Sequence, residues 1–332
     1  MGGGFSFFNK PKPKEEEFDP TLVERRDPLV TTDEVMNSSE GMGRVLYALE
    51  NLKPGDQKRW SRLIKACNRI VEQTVEEPDP IRLEISEKTL KEICKKRYDM
   101  AGTATSDKIK LMRKCYPKLY DGHTFELAKR NSQVERNEKG LSEEMYAYGE
   151  LDHEIFATII EKMTAAYGVK KQGIFYDLGC GVGQLVFTAA LIGDFSSVNG
   201  VEMITQLLEN GERKTRKYNK MKTKYDEFTP EMKRLKINWP NENILAFDEW
   251  TEATFILLHW TAMNPSQVKY ISQKMDFCDE GTQVVSFTHP IRNPGFEILV
   301  QDTCRVSWGE AEFFIQEKMV AGKPRPAKKK DM

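Results

Sequence analysis

The chain has 332 residues, 39% of them apolar, which is enough for a core and excludes a wholly disordered polymer. Its 50 Lys and Arg nearly cancel its 51 Asp and Glu, so the net charge of −1 exerts no global pull toward nucleic acid or membrane. No apolar run approaches the roughly 18 residues of a membrane span, no CxxC pair occurs among six cysteines, and no HExxH accompanies the four histidines. A zinc knuckle, a disulfide framework and a metal-dependent hydrolase are therefore not indicated, and no metal site is expected.

Scattered thiols fit a reducing intracellular compartment, and the N-terminus lacks the apolar core of a secretory signal. The length suggests about two structural units. Residues 1–30 are rich in Gly, Pro and charge and read as a disordered arm. Its start, Met1-Gly2-Gly3-Gly4-Phe5-Ser6, matches the myristoylation pattern, which a mobile terminus also satisfies by accident.

Residues 31–137 read as a helical lobe. Met42, Val45, Leu46, Leu49 and Leu52 recur at helical spacing, and Pro54-Gly55 ends the run. Asp56 can cap a second helix with the stripe Trp60, Leu63, Ile64, Cys67, Ile70 and Val71. Ser86 can cap a third, carrying Leu90, Ile93, Cys94 and Tyr98, and a fourth carries Ile109, Met112 and Tyr116. Residues 131–142 are polar without apolar periodicity and read as a linker.

A second unit spans residues 138–320. Tyr146-Ala147-Tyr148-Gly149-Glu150-Leu151 leads into a helix capped by Asp152, with Ile155, Phe156, Ile159, Ile160 and Met163 inward. Short β-branched or aromatic runs then alternate with helices at 174–178, 198–203, 235–239, 255–259 and 283–288, the pattern of crossover helices on a parallel sheet. Residues 298–308 and 312–318 are separated only by a tight connection around Gly309, which predicts an antiparallel hairpin at one sheet edge. The tail, 321–332, holds five basic residues and two prolines. It reads either as a solvated end or as a phosphate contact or nuclear address.

The most informative stretch is Tyr176-Asp177-Leu178-Gly179-Cys180-Gly181-Val182-Gly183-Gln184, between an apolar strand and the helical run 185–191. Glycines at 179, 181 and 183 let a ligand approach the backbone above a helix N-terminus. Counted from Gly179, the sixth position is Gln184, so the GxGxxG of a dinucleotide site is not matched. An acid ending strand one, a GxGxG turn and Glu202 at the end of strand two form the pattern of class I S-adenosylmethionine (SAM) methyltransferases. SAM has no phosphate; it needs an acceptor for its ammonium and a carboxylate for its ribose. Adenine is expected over the loop after strand three, with Asn243 hydrogen-bonding and Ile244 packing; that strand is either 235–239 or the apolar run at Ile244. Cys180 touches the turn and reads as a small buried residue.

The helical lobe, the Tyr148-Gly149-Glu150-Leu151 loop, the glycine turn, Gly200-Val201-Glu202 and Val306-Ser307-Trp308 together resemble the non-SET histone-lysine methyltransferases of the disruptor-of-telomeric-silencing family, over roughly residues 60–318. The resemblance implies a Rossmann-like α/β fold: a mostly parallel seven-stranded sheet with an antiparallel C-terminal hairpin, preceded by the helical lobe. It implies that Tyr148 and Glu150 close over the cofactor, that Asp177, Gly179, Gly181 and Gln184 line its site, and that Glu202 holds the ribose. Tyr146 competes with Tyr148 for the lid. The implied substrate is a lysine of histone H3 in a nucleosome, in the nucleus, with the cytoplasm as the alternative setting.

Two positions depart from the family. Leu258-His259-Trp260-Thr261 stands where the family carries Asn-Asn-Phe, and Phe313-Phe314 replaces two adjacent tyrosines. A lysine is protonated at neutral pH, its free pKa being about 10.4, and a narrow apolar channel lowers that value. Trp260, Phe313 and Trp308 are candidate channel walls. Alignment and desolvation then supply the rate, and no dedicated base is strictly required. His259 either acts as a base or orienting group at a strand C-terminus or simply ends a buried strand. The helix after Glu202 carries Arg213, Lys214, Arg216, Lys217, Lys220, Lys222 and Lys224. That run is either a solvated face or, with the tail, a nonspecific DNA contact. Alternatives to the histone reading are methylation of another protein or a small molecule, or a SAM-binding scaffold without turnover.

Overall fold

The computed structural model describes residues 85–101, 106–141 and 147–319, with ten further positions between Val35 and Cys67. The arm, Gly2, the Asp56 cap, Tyr146 and the basic tail lie outside the described residues.

Helix α1 (Glu87–Met100) starts at Ser86, whose side chain accepts the Thr89 amide, and buries Leu90, Ile93, Cys94 and Tyr98, the expected stripe. Ser106 caps α2 (Asp107–Leu119) in the same way, accepting the Ile109 amide. Of the two earlier stripes, Val45, Leu49, Trp60, Leu63 and Cys67 are buried in helical backbone.

The expected linker is instead a helix, α3 (Phe125–Glu138). Periodicity misses it because its inward face is polar: Ser132, Glu135 and Arg136 are buried with Ala128. Glu135 replaces apolar contact with hydrogen bonds, accepting the amides of Thr205 and Gln206. Helix α4 (His153–Tyr167) is capped by Asp152, which accepts the Glu154 and Ile155 amides, and turns Phe156, Ile159, Ile160 and Met163 inward. Ile155 is half-buried.

The sheet follows: β1 (Ile174–Leu178), α5 (Gln184–Ile192), β2 (Ser197–Val201), α6 (Thr205–Lys224), α7 (Pro230–Arg234), β3 (Lys236–Asn238), β4 (Phe255–His259), α8 (Pro265–Lys274), β5 (Gln283–Phe287), β6 (Phe296–Val306) and β7 (Gly309–Lys318). Seven strands lie in the order β3-β2-β1-β4-β5-β7-β6. β1 to β5 are parallel, and β7 joins β5 antiparallel with β6 outside it. The hairpin is therefore where the short connection placed it. The strand after β2 is the short Lys236–Asn238, and Ile244 falls in the following loop.

Strand pleat sorts side chains into two layers. Phe175, Phe255, Leu257, Val285 and Phe287 join the large core shared with α1, α2, α4 and α5. Tyr176, Leu178, Ile256, Leu258 and Trp260 pack on the other face against α8. Strand order reverses between β1 and β4, and a crevice opens there at the strand C-termini, the usual ligand position in an open α/β sheet. Among the described residues no helix is long and apolar enough to cross a membrane.

Candidate active site

A cavity of about 460 Å³ occupies this crevice, a volume suited to a cofactor-sized molecule. Tyr148, Glu150, Asp177, Gly179, Gly181, Gln184, Glu202, Asn243, Ile244, His259 and Trp308 all line it. Residues far apart in sequence thus converge on one cavity.

The three glycines of the turn serve different ends. Gly179 has φ +89°, and a Cβ there would meet nothing within 4 Å, so the space above it is open to a ligand. A Cβ on Gly181 would come within 2.9 Å of the Tyr148 ring, so this glycine seats the loop. A Cβ on Gly183 would strike the Trp239 indole, which also lies against Gly200 and Gly211. That last glycine serves packing.

The Tyr148-Gly149-Glu150 loop is clamped by the tip of the β6–β7 hairpin. The Glu150 amide donates to Ser307 Oγ at 2.8 Å, and the Ser307 amide donates to the Glu150 carbonyl at 3.0 Å. Leu151 bridges to Val306. The Trp308 indole lies against Gly149, where even a Cβ would collide. The Tyr148 hydroxyl donates to Glu150 Oε1 at 2.6 Å. His123 Nε2 lies 3.1 Å from the same oxygen and 3.0 Å from the side-chain nitrogen of Gln184. Burial opposes ionisation of Glu150, yet the bonds from His123 and Tyr148 hold its carboxyl below the usual value. Burial and the Glu150 charge push the Tyr148 phenol far up, so it stays a donor. Sequence patterns do not point to His123: a lone histidine between two helices carries no signal.

Asp177, next to last in β1, has Oδ1 buried and without a hydrogen-bond partner in the protein. Burial, with the Glu202 charge second, pushes its carboxyl up to about 8. Glu202 is differently placed. Its Oε2 accepts the Gly181 amide at 3.0 Å, and its Oε1 accepts the Met203 and Ile204 amides at 2.8 and 2.9 Å. Burial still raises its pKa, while these three bonds oppose the rise. A carboxylate has about four acceptor sites, so one remains. Glu202 thus braces the glycine turn as well as facing the cavity. Asn243 Oδ1 is engaged by the Leu245 amide at 2.9 Å, and Ile244 supplies apolar lining. Burial pushes the Cys180 thiol well above its ordinary value.

Of the three aromatic channel candidates, Trp260 and Phe313 do not reach the cavity. Trp260 follows His259 in the pleat, so it turns to the opposite face, where it is fully buried and donates its indole N–H to the His289 carbonyl at 2.8 Å. Phe313 pairs with Phe287 and packs on its ring, 6.0 Å between centroids, inside the large core. Phe287 in turn stacks on His259 at 4.7 Å and 11°. Phe313 therefore buttresses His259 at one remove. His259 Nε2 is buried without a protein partner, and burial lowers the ring's pKa to about 4, so it is neutral at pH 7. Trp308, 43% exposed, is the aromatic at the mouth. Thr261, Met263 and Gln267, from the segment after β4 and the start of α8, complete that side.

The donor set fits SAM: a buried acceptor with no partner, an open glycine turn, a second carboxylate and an apolar wall. The family model for "Histone methylation protein DOT1" matches residues 130–308, more than half of the chain. The chain belongs to this family. It is a SAM-dependent methyltransferase. Histone H3 is the class of substrate that DOT1 membership implies, and a nuclear chromatin role is consistent with it.

No curated protein matches the chain. Among solved structures, the rRNA methyltransferase AviRa from Streptomyces viridochromogenes is similar at 9% identity, over 52% of this chain and 87% of that one, with a TM-score of 0.38. PH1948 from Pyrococcus horikoshii is similar at 11% identity, over 65% and 100%, with a TM-score of 0.42. TrmN from Thermus thermophilus is similar at 12% identity, over 49% and 48%, with a TM-score of 0.38. The DOT1 match begins inside α3, so most of that helix, the Tyr148-Gly149-Glu150 loop, the sheet up to the hairpin and the hairpin tip fall within it.

Proposed function

We propose that this chain methylates a lysine of histone H3 assembled in nucleosomes. The observation that carries the reading is one cavity with two unpartnered buried polar atoms, Asp177 Oδ1 and His259 Nε2, under the clamped Tyr148 loop. Asp177 is assigned to the SAM ammonium, the glycine turn and Glu202 to its amino-acid and ribose portions, and Ile244 with Asn243 to adenine. Bound SAM supplies a methyl group activated on a sulfonium. The protein's part is alignment and exclusion of water. A lysine amine entering past Trp308 sheds its proton as it leaves water, and neutral His259 offers it a hydrogen-bond partner. Tyr148 and Glu150 keep the cavity closed from the lid side.

Contact with nucleosomal DNA is assigned to α6. Arg213, Arg216, Lys217, Lys220 and Lys224 are exposed there. Two of the seven cations do not belong to that face. Lys214 is buried with its amine 4.1 Å from the Tyr120 ring centroid, and burial, helped by Arg213 and Lys217, lowers its pKa to about 8. Lys222 donates to the Lys233 and Leu235 carbonyls.

Incubation with radiolabelled SAM and either nucleosomes or free histones tests the proposal. Label on H3 in nucleosomes, lost in Asp177→Ala, is expected. Label only on other proteins, or only on small molecules, would overturn it.

A further inference from the structure

Three consecutive residues from the last of β4 onward, His259 to Thr261, are held, one for one, by Phe287, the last residue of β5, and the two residues that follow it. Phe287 stacks on His259. Thr288 Oγ1 lies 2.7 Å from Thr261 Oγ1. The His289 carbonyl accepts the Trp260 indole N–H at 2.8 Å and the Ser286 hydroxyl at 2.9 Å. The match requires an abrupt change of chain direction, and Thr288 makes it at φ +71°. A β-branched residue almost never occupies that region, and glycine or asparagine would do so with less strain. The Thr288 amide donates to the Glu312 carbonyl at 2.8 Å, so β7 pins the turn from behind.

Strained backbone persists where its surroundings over-determine it, and it concentrates at functional sites. A glycine would remove the strain but also the hydroxyl that reaches Thr261. Thr261 and His259 both line the cavity; Trp260 anchors the segment from the opposite face of the sheet. We propose that Thr288 is a positioning residue for methyl transfer. Its hydroxyl, aimed by the left-handed turn, sets Thr261 and so the 259–261 segment on the acceptor side of the cavity, while Asp177 and Glu202 on the cofactor side are untouched. The inference rests on the reading of His259 and Thr261 as the acceptor side.

The test uses Thr288→Ser, Thr288→Gly, Thr261→Val and the double variant T261V/T288G in the full chain. SAM affinity is measured by calorimetry, and kcat on whichever histone form the wild type methylates. Thr288→Ser keeps kcat within about twofold of wild type, because the hydroxyl remains. Thr288→Gly and Thr261→Val each lose about tenfold, less than the roughly hundredfold that a 1 Å misplacement can cost, and the double variant is no worse than either alone. SAM affinity stays at the wild-type value throughout. Wild-type kcat in Thr288→Gly, additive losses in the double variant, or a parallel fall in SAM affinity would overturn the proposal. Should Thr288→Gly fail to fold, Thr261→Val breaks the same hydrogen bond from an exposed side chain. The wild-type rate on nucleosomes judges the proposed substrate, and the variant-to-wild-type ratio judges the turn.

Discussion

Glu135, on α3, caps α6 from outside that helix: its two carboxylate oxygens accept the Thr205 and Gln206 amides, each at 2.8 Å. The N-cap position of α6 is Ile204, which has no side chain able to do this. The negative charge also sits at the positive end of the helix dipole. The capped turn is the one whose amides at Met203 and Ile204 hold Glu202, so α3 supports the cofactor side of the cavity. Glu135→Ala should cost about 1–3 kcal/mol of stability, the range for a buried donor left unsatisfied, and Glu135→Gln should recover part of it. Denaturant melts check this. Burial opposes ionisation of Glu135, but bonds from Gln206, Lys139 and Thr205 bring its pKa below the usual value. Its stabilisation is therefore present at neutral pH and is lost as pH falls through the ordinary carboxylate range and below.

Asp177 has the opposite sign. Its carboxyl, pushed up to about 8, binds a proton more tightly in the folded than in the unfolded chain. Its contribution without cofactor is therefore full at low pH and declines as pH rises from about 4 toward 8. Asp177→Asn should raise the melting temperature of the cofactor-free protein at pH 8, by about 2–4 °C per kcal/mol relieved, while reducing SAM affinity at least tenfold. Wild-type affinity should climb with pH and level off near 8, with proton release visible by calorimetry in buffers of different ionisation enthalpy. A pH-independent affinity would refute the assignment of Asp177 to the SAM ammonium.

Glu202 is expected to fail differently. With three backbone amides on its carboxylate, Glu202→Ala should lower both stability and SAM affinity, the stability by about 1–3 kcal/mol. Thermal melts compared with Asp177→Asn separate the two roles: the aspartate variant melts higher than wild type and the glutamate variant lower.

Gly149→Ala probes the proposed role of the Tyr148-Gly149-Glu150 loop. Its φ is not left-handed, so backbone strain is not at issue; the added Cβ would sit 2.4 Å from the Trp308 ring. Displacing the indole or the loop should lower kcat about tenfold with a far smaller change in melting temperature. Turnover and melting curves measured side by side check it.

Replacing Arg216, Lys217, Lys220 and Lys224 together with alanine should weaken nucleosome binding without changing SAM affinity. The slope of log affinity against log salt should flatten by about 0.9 for each phosphate the variant no longer neutralises. Equal slopes for the variant and the wild type would remove α6 from the interface.

Much of this was legible in the residues themselves. Two strands, 174–178 and 255–259, each buried at four of five positions, appear at those bounds because short, mainly apolar runs bounded by breakers suit a central strand of a parallel sheet. The hairpin was legible because a two-residue connection admits only antiparallel pairing. The glycine turn and its flanking acids announced the cofactor through local chemistry. Helix α3 stayed hidden because periodicity detects apolar burial, and α3 buries Ser132, Glu135 and Arg136. Tertiary structure alone decided that His259 faces the cavity while Trp260 faces away, that Gly183 serves Trp239 rather than a ligand, and that Thr288 turns left-handed to meet Thr261. Each depends on which neighbour the fold brings alongside, and that neighbour comes from a distant part of the chain, beyond the reach of any local pattern.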